Sequence, residues 1–266
     1  MDYRVGYCQF KPLLLQPEAN RTRIREMLSE VNADLIVLPE LATSGYFFDT
    51  LAEVESVAEA AETGPTAVFL RELAQSRNCS IMIGFPEREG RKLYNSAMLV
   101  NPDGTQFVYR KTHLFYREKL FFSPGNTGFQ IVPAKNGIEV GMMICFDWYF
   151  PESARTLALD GAKILIHSAN LVLPWCQQAM ITRSLENRVF SITCNRVGTE
   201  TRDGADLTFT GCSQVLGPRG EILSRAEESG EALTVVKIDT DAADDKHITP
   251  VNLLWDDRRP EMYHLD

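Results

Sequence analysis

Residues 137–152 read Gly-Ile-Glu-Val-Gly-Met-Met-Ile-Cys-Phe-Asp-Trp-Tyr-Phe-Pro-Glu. The first half, through Ile144, is almost entirely apolar from Val140 onward, as expected of a buried strand. Cys145 closes that strand. A helix is expected over 151–160, since Pro151 suits a first helical turn, where its missing N–H costs nothing. A strand that runs through a sharp turn into a helix is the repeating unit of layered α/β folds.

The same unit recurs on both sides. Asp34-Leu-Ile-Val-Leu-Pro39 is an apolar run ending at Glu40, and 162–166 is a strand leading into His167-Ser-Ala-Asn170. Amphipathic helices are expected over 17–32, with Ile24, Leu28 and Val31 on one stripe, and over 66–77, carrying Val68, Phe69, Leu70 and Leu73. A further helix is expected over 175–186. Strands are expected at 4–10, 81–85, 189–197 and 232–238. Hairpins are expected at 94–110, around Asn101-Pro-Asp-Gly104, and at 211–225, around Gly217-Pro-Arg-Gly220. Together these predict an α/β fold with a mixed sheet or two packed sheets. No stretch rich in Gly, Ser or Pro divides the chain, so 1–266 is expected to form a single domain, with 239–266 as a polar C-terminal tail packing on a partner subunit.

The 266 residues are 44% apolar and 24% charged, which excludes a disordered tail protein or a disulfide-stapled scaffold. The formal net charge of −9 argues against nucleic acid as a partner. No apolar run approaches the ~20 residues that span a bilayer, so no membrane role is expected. The N-terminus lacks a basic stretch followed by an apolar block, and a cytoplasmic chain is expected. None of the six cysteines forms a C-x-x-C pair, and the four histidines show no metal-ligand spacing, so neither disulfides nor a metal are expected.

Four residues stand where chemistry is done. Cys145, at a strand-to-helix turn, is placed like the nucleophile of a hydrolase elbow, with backbone N–H groups near the sulfur. On position alone, a buried structural cysteine is the commoner case. Glu40 ends a buried strand, and a partly desolvated carboxylate is suited to general-base work, although such a residue often caps a helix instead. Lys111, directly after an apolar strand, can supply positive charge to a thiolate or an oxyanion, whereas lysines are more often exposed. Glu118, seven residues on, can hold that lysine or belong to a charged surface run. A Cys–His hydrolase with His167 as base is a further arrangement, but a structural histidine is the commoner one at that strand end.

Taken together and in order, Leu-Pro-Glu at 38–40, Tyr-Arg-Lys-Thr-His-Leu at 109–114, and Ile-Cys-Phe-Asp with Phe-Pro-Glu at 144–152 resemble the nitrilase superfamily of carbon–nitrogen hydrolases. The resemblance continues through 122–126, 167–170, 185–188 and 211–218, and so covers nearly the whole chain. It implies a four-layer αββα sandwich, two central mixed sheets flanked by helices, with subunits paired back to back as a homodimer or an assembly of dimers. It also implies a Glu–Lys–Cys triad of Glu40, Lys111 and Cys145, with Glu118 as an additional glutamate, the Phe146 N–H completing an oxyanion hole, and no cofactor.

A thiol with a pKa of ~8.5 is mostly protonated at pH 7, so Glu40 is expected to take its proton as substrate arrives. Phe146, Tyr116, Trp148 and Asn170 are the expected substrate-binding residues, with Tyr46 and Trp175 at the rim. Cys-Phe-Asp after the strand is closer to amidases than the Cys-Trp-Glu of many nitrilases. Residues 111–119 and the short length also resemble small microbial enzymes credited with aliphatic nitrile hydrolysis. A small aliphatic amide is therefore the first expectation and a nitrile the second. An idle interaction protein on the same fold is the reading from another class, and the intact triad positions argue against it.

Overall fold

The computed structural model describes residues 1–202 and 204–263, so His264 and the last residues of the tail lie outside the described residues. In chain order the elements are β1 (Asp2–Gln9), α1 (Pro17–Met27), β2 (Leu35–Val37), α2 (Leu51–Val57), α3 (Pro65–Arg77), β3 (Ser80–Glu89), β4 (Lys92–Val100) and β5 (Gln106–Arg110). Next come α4 (Glu118–Phe121), β6 (Ile131–Ala134), β7 (Ile138–Ile144), α5 (Pro151–Leu159), β8 (Ile164–Ser168), α6 (Cys176–Asn187), β9 (Phe190–Cys194) and β10 (Val197–Arg202). The remainder are β11 (Ala205–Thr210), β12 (Gln214–Leu216), β13 (Ile222–Arg225), β14 (Ala232–Asp239), β15 (His247–Thr249) and β16 (Asn252–Leu253).

Two six-stranded mixed sheets form the centre. One has the order β14-β1-β2-β3-β4-β5, parallel at β1–β2–β3; the other has the order β13-β12-β9-β8-β7-β6, parallel at β7–β8–β9. Alternation along each strand assigns its side chains to layers. Val5, Leu35, Val37 and Met82 from the first sheet meet Met142, Ile144, Ile164 and Ile192 from the second in one core. On the outer face of the first sheet, Ile36, Ile81 and Ile83 pack on Ile24 and Leu28 near α1 and on Leu70 and Leu73 of α3. On the outer face of the second, Met143 and Leu165 pack on Ala154, Leu157 and Ala158 of α5. The result is the αββα sandwich. β2 is parallel to both of its neighbours and β7 is parallel to β8, and Glu40 and Cys145 follow the C-terminal ends of these strands, where loops are free to build a site.

Several expectations are corrected. The first helix stops at Met27 rather than 32, and Ser29 and Val31 instead close three-residue turns onto Glu26 and Leu28. Val68 is exposed, because its helical neighbours Arg71 and Glu72 lie on the polar side of α3. The strand expected over 189–197 ends at Cys194, and Val197 opens the β10–β11 hairpin. That hairpin, α2 and β6 were not anticipated, since they are short or polar and carry little periodic signal. Within the chain, Trp255 of the tail joins the Met143–Leu157 cluster, its ring 5.1 Å from the Arg155 guanidinium, a contact that leaves the expected packing on a partner open.

Candidate active site

Glu40 leaves β2 across the surface of β3. Gly84 permits this crossing, because a Cβ there would stand 2.5 Å from the Glu40 Cα and 2.4 Å from the Leu41 nitrogen. Glu40 is fully buried. Its Oε1 accepts from Lys111 Nζ at 2.6 Å and from Asn95 Nδ2 at 2.7 Å. Its Oε2 has no hydrogen-bond partner among the described residues. Lys111 continues past β5, with its backbone N–H donating to the Asn95 carbonyl at 2.8 Å. Lys111 Nζ also donates to Glu118 Oε1 at 2.7 Å. The same oxygen accepts from the Tyr46 hydroxyl at 2.7 Å, while Glu118 Oε2 accepts from Phe115 N at 3.3 Å and Asn95 Nδ2 at 3.4 Å.

Burial opposes charge on each of these groups, and their neighbours decide the outcome. Burial alone lowers the Lys111 pKa, but the Glu118 and Glu40 carboxylates outweigh it and hold the ammonium above the ordinary lysine range. Burial pushes Glu118 up to about 7, with Lys111 pulling against it and the Glu40 charge reinforcing it. Burial also raises the Cys145 thiol well above its usual value; Glu40 adds to the rise, while Lys111 and the backbone N–H of Asn170 oppose it. The resting sulfur is therefore a protonated thiol with a carboxylate close enough to influence its ionisation.

Cys145 itself has φ +40°, a left-handed conformation that a non-glycine residue adopts only under constraint. A 3₁₀ helix begins at this residue and runs to Tyr149, so the Phe146 N–H lies in a first turn whose donors lack intrahelical partners. Asp147 holds the turn in place. Its Oδ2 accepts from Ile144 N at 2.9 Å and from the Tyr109 hydroxyl at 2.7 Å, and its Oδ1 accepts from His113 N at 3.2 Å and pairs with His113 Nδ1 at 2.8 Å. One carboxylate thus ties the segment carrying Lys111 to the turn carrying Cys145. The sulfur opens on a narrow cleft of about 40 Å³, lined by Phe115, Phe146, Trp148, Asn170 and Leu171 among others. A much larger groove of about 990 Å³ runs along α1 and includes none of the four charged or thiol groups.

A family model for carbon-nitrogen hydrolases matches residues 4–246. The chain belongs to the carbon–nitrogen hydrolase family. It is 44% identical to a nitrilase of Pyrococcus abyssi over 98% of both chains. It is 32% identical to an N-carbamoylputrescine amidase of Arabidopsis thaliana over 88% of this chain and 84% of that protein. The crystal structure of a carbon-nitrogen hydrolase from Helicobacter pylori G27 superposes with a TM-score of 0.87 at 27% identity, covering 99% of this chain and 97% of that one. A mutant of an amidase from Nesterenkonia sp. AN1, which shows the result of Michael addition of acrylamide at its active site cysteine, superposes with a TM-score of 0.78 at 26% identity over 92% and 96% of the two chains.

In this carbon–nitrogen hydrolase, the residues singled out from the sequence divide into three groups. Glu40, Lys111 and Glu118 meet directly, and Cys145 lies within their electrostatic reach. Phe146, Trp148 and Asn170 line the cleft. Tyr116 and Trp175 do not line it; they are 65% and 56% exposed. Tyr116 has φ +49°, and such a backbone turns the ring outward onto Phe115. Tyr46 is not at the rim but is buried against Glu118. His167 reaches the Cys145 carbonyl oxygen through Nε2 at 2.9 Å, and burial drives its pKa down to about 4, so it is a neutral support for the turn. Asn95 and Asp147 escaped the sequence reading. A lone aspartate inside the apolar run Cys-Phe-Asp-Trp-Tyr-Phe was the available signal for one; Asn95, in an ordinary strand, offered none. Among the described residues, no group of three or more His, Cys, Asp or Glu is placed to hold a metal ion.

Proposed function

We propose that this carbon–nitrogen hydrolase cleaves a small primary amide to the carboxylic acid and ammonia through a cysteine thioester. The observation that carries the choice of amide is Asn170. Its side-chain oxygen and nitrogen are both buried without a partner among the described residues, on the wall of the cleft that holds the thiol. A primary amide offers one acceptor and two donors, and so can satisfy both atoms or their equivalents at Glu40 Oε2. A nitrile nitrogen only accepts, and would leave a buried acceptor unpaired at a cost of ~1–3 kcal/mol.

In this reading, Glu40 takes the thiol proton and the sulfur attacks the amide carbon. The developing oxyanion is met by Lys111 and the Phe146 N–H. Glu40 returns its proton to the nitrogen, the C–N bond breaks and ammonia leaves. Water then gives a proton to Glu40, its oxygen attacks the thioester, and the thiolate departs and recovers the proton. Glu118 acts by holding Lys111. A homodimer joined through the exposed sides of α5 and α6, the tail beyond Trp255 reaching toward the partner, completes the proposal. One domain over the whole chain is consistent with the continuous cores, and a cytoplasmic setting with six free cysteines.

The second reading, a small aliphatic nitrile, is favoured by the nitrilase of Pyrococcus abyssi. Ammonia release from matched pairs, such as propionamide against propionitrile, decides between them. The amide is expected to win by ~10–100-fold in kcat/KM, the scale of one unpaired buried group. Faster turnover of the nitrile overturns the amide reading.

A further inference from the structure

We propose that the buried Arg196–Glu200 ion pair is a positioning device for the acid–base site, acting on Glu118 through the Tyr46 hydroxyl. This rests on the reading that Glu40, Lys111 and Glu118 serve Cys145.

Arg196 follows β9 and Glu200 lies in β10, which pairs with β11. Arg196 is fully buried and Glu200 nearly so, with Nη1 and Oε1 2.5 Å apart. The guanidinium also donates from Nη2 to the Pro12 carbonyl at 3.2 Å and lies 4.0 Å from the Phe209 ring. The Glu200 carboxylate reaches out to a different loop. It accepts from Phe47 N at 2.7 Å and from Tyr46 N at 3.2 Å. Gly45 has φ +76°, and a Cβ there would come within 2.8 Å of Glu200 Oε1, so the turn is fitted against the carboxylate.

Tyr46 is thus fixed at both ends. Its backbone is held by Glu200, its ring stands edge-on to Phe209 at 6.0 Å, and its hydroxyl donates at 2.7 Å to the Glu118 oxygen that also receives Lys111. Phe209 touches both the arginine and the tyrosine, which makes the clamp one packed unit. A buried ion pair is weak evidence for stability, since well-packed apolar residues often do as well or better. Here the carboxylate does something an apolar residue cannot: it accepts two backbone N–H bonds and aims a hydroxyl at the site.

Glu118 is faced by Lys111 after β5, Glu40 after β2, Tyr46 from the clamped loop and Cys145 from the turn after β7. Of these, Tyr46 is the neighbour whose position Arg196 and Glu200 govern. Its hydrogen bond favours the ionised form of Glu118. Loosening it should make Glu118 harder to ionise and less able to hold Lys111.

The test uses the full chain and two variants, Arg196→Met/Glu200→Leu and Tyr46→Phe. The double variant removes both charges together, so net charge is unchanged and no lone ion is left buried. The rate of Cys145 alkylation by iodoacetamide is followed against pH by mass spectrometry, together with turnover of whichever substrate the wild type accepts. The wild-type alkylation profile is expected to inflect near neutral pH as Glu118 ionises. In both variants the inflection should move to higher pH by about one unit, and kcat should fall by about 10-fold with KM changed less. Adding Tyr46→Phe to the double variant should shift the profile no further. If wild-type Cys145 is alkylated no faster than the other cysteines, the acid–base reading fails, and this proposal with it. If wild type behaves as expected but a folded double variant keeps its profile and kcat, the positioning role is overturned. Should the double variant not fold, Tyr46→Phe decides alone, and an unshifted profile there overturns the proposal equally.

Discussion

Lys111 Nζ lies 2.6 Å from Glu40 Oε1, and neither side chain is exposed to solvent. The ammonium occupies one carboxylate oxygen and leaves the other, Oε2, without a partner among the described residues. This division of labour within one carboxylate separates charge balance from proton transfer. Glu40→Gln keeps the shape and removes the base, so kcat should fall at least ~10²-fold. Lys111→Met should cost ~10²–10³-fold, as loss of an oxyanion donor does. The two defects should not add in the double mutant, because the groups act as a unit. Near-normal turnover by a folded Glu40→Gln variant would place the base elsewhere.

Cys145 should be alkylated by iodoacetamide well ahead of the other five cysteines. Cys8, Cys79, Cys176 and Cys194 are sealed in the cores, and burial raises their thiols as well. Cys212 is the real competitor, being partly exposed. Cys145 differs from all of them in lining the cleft, with the charges of Glu40, Lys111 and Glu118 acting on its thiol. Peptide mapping after brief labelling measures the order, and Cys212 labelling first would contradict the assignment.

Glu118 makes stability depend on pH. Burial holds its folded pKa at about 7, above the ordinary glutamate value of 4.5. Between those values the folded chain holds a proton that the unfolded chain has lost, so stability is highest below that window and declines as pH rises through about 7. The decline should be on the order of 1–3 kcal/mol for a fully buried group. Glu118→Gln should flatten it, so the Tm difference between pH 5 and pH 8 shrinks relative to wild type. Calorimetry at a series of pH values reads this directly; an unchanged slope would show that Glu118 does not titrate there.

Gly84→Ala should reduce activity without replacing any reacting side chain. The added methyl overlaps the backbone at Glu40 and Leu41, and so must push the carboxylate off Lys111. A displacement of the order of 1 Å is enough for a ~10²-fold loss in kcat. Wild-type kcat in this variant would mean that the loop at Glu40 yields without consequence.

The parts legible in the sequence were those with a strong local signature. Leu35–Val37 and Val140–Ile144 are apolar runs too continuous to be anything but buried, and the polar residues ending them, Glu40 and Cys145, stood out by contrast. The Asn101–Gly104 turn fixed a hairpin on turn chemistry alone. What stayed hidden depends on contacts far apart in the chain. Asn95 bridges Glu40 and Glu118 across 55 and 23 residues, and Glu200 grips Tyr46 across 154. No periodicity encodes such meetings. Tyr46 and Tyr116 are both aromatic loop residues, yet one is buried against a carboxylate and the other exposed, because backbone direction, not residue type, decides.

The enclosure of Glu40, Lys111 and Glu118 also isolates the site's protons from the bulk. Among the described residues, the side chains bonded to these three groups, Asn95 and Tyr46, are themselves buried, so none of them offers a hydrogen ion an exposed next step during a catalytic cycle. In the proposed cycle it travels on the molecules that come and go: the attacking water, the departing ammonia and the acid. Rates should therefore be indifferent to the concentration and identity of the buffer at fixed pH, since a buffer ion has no exposed group to relay to.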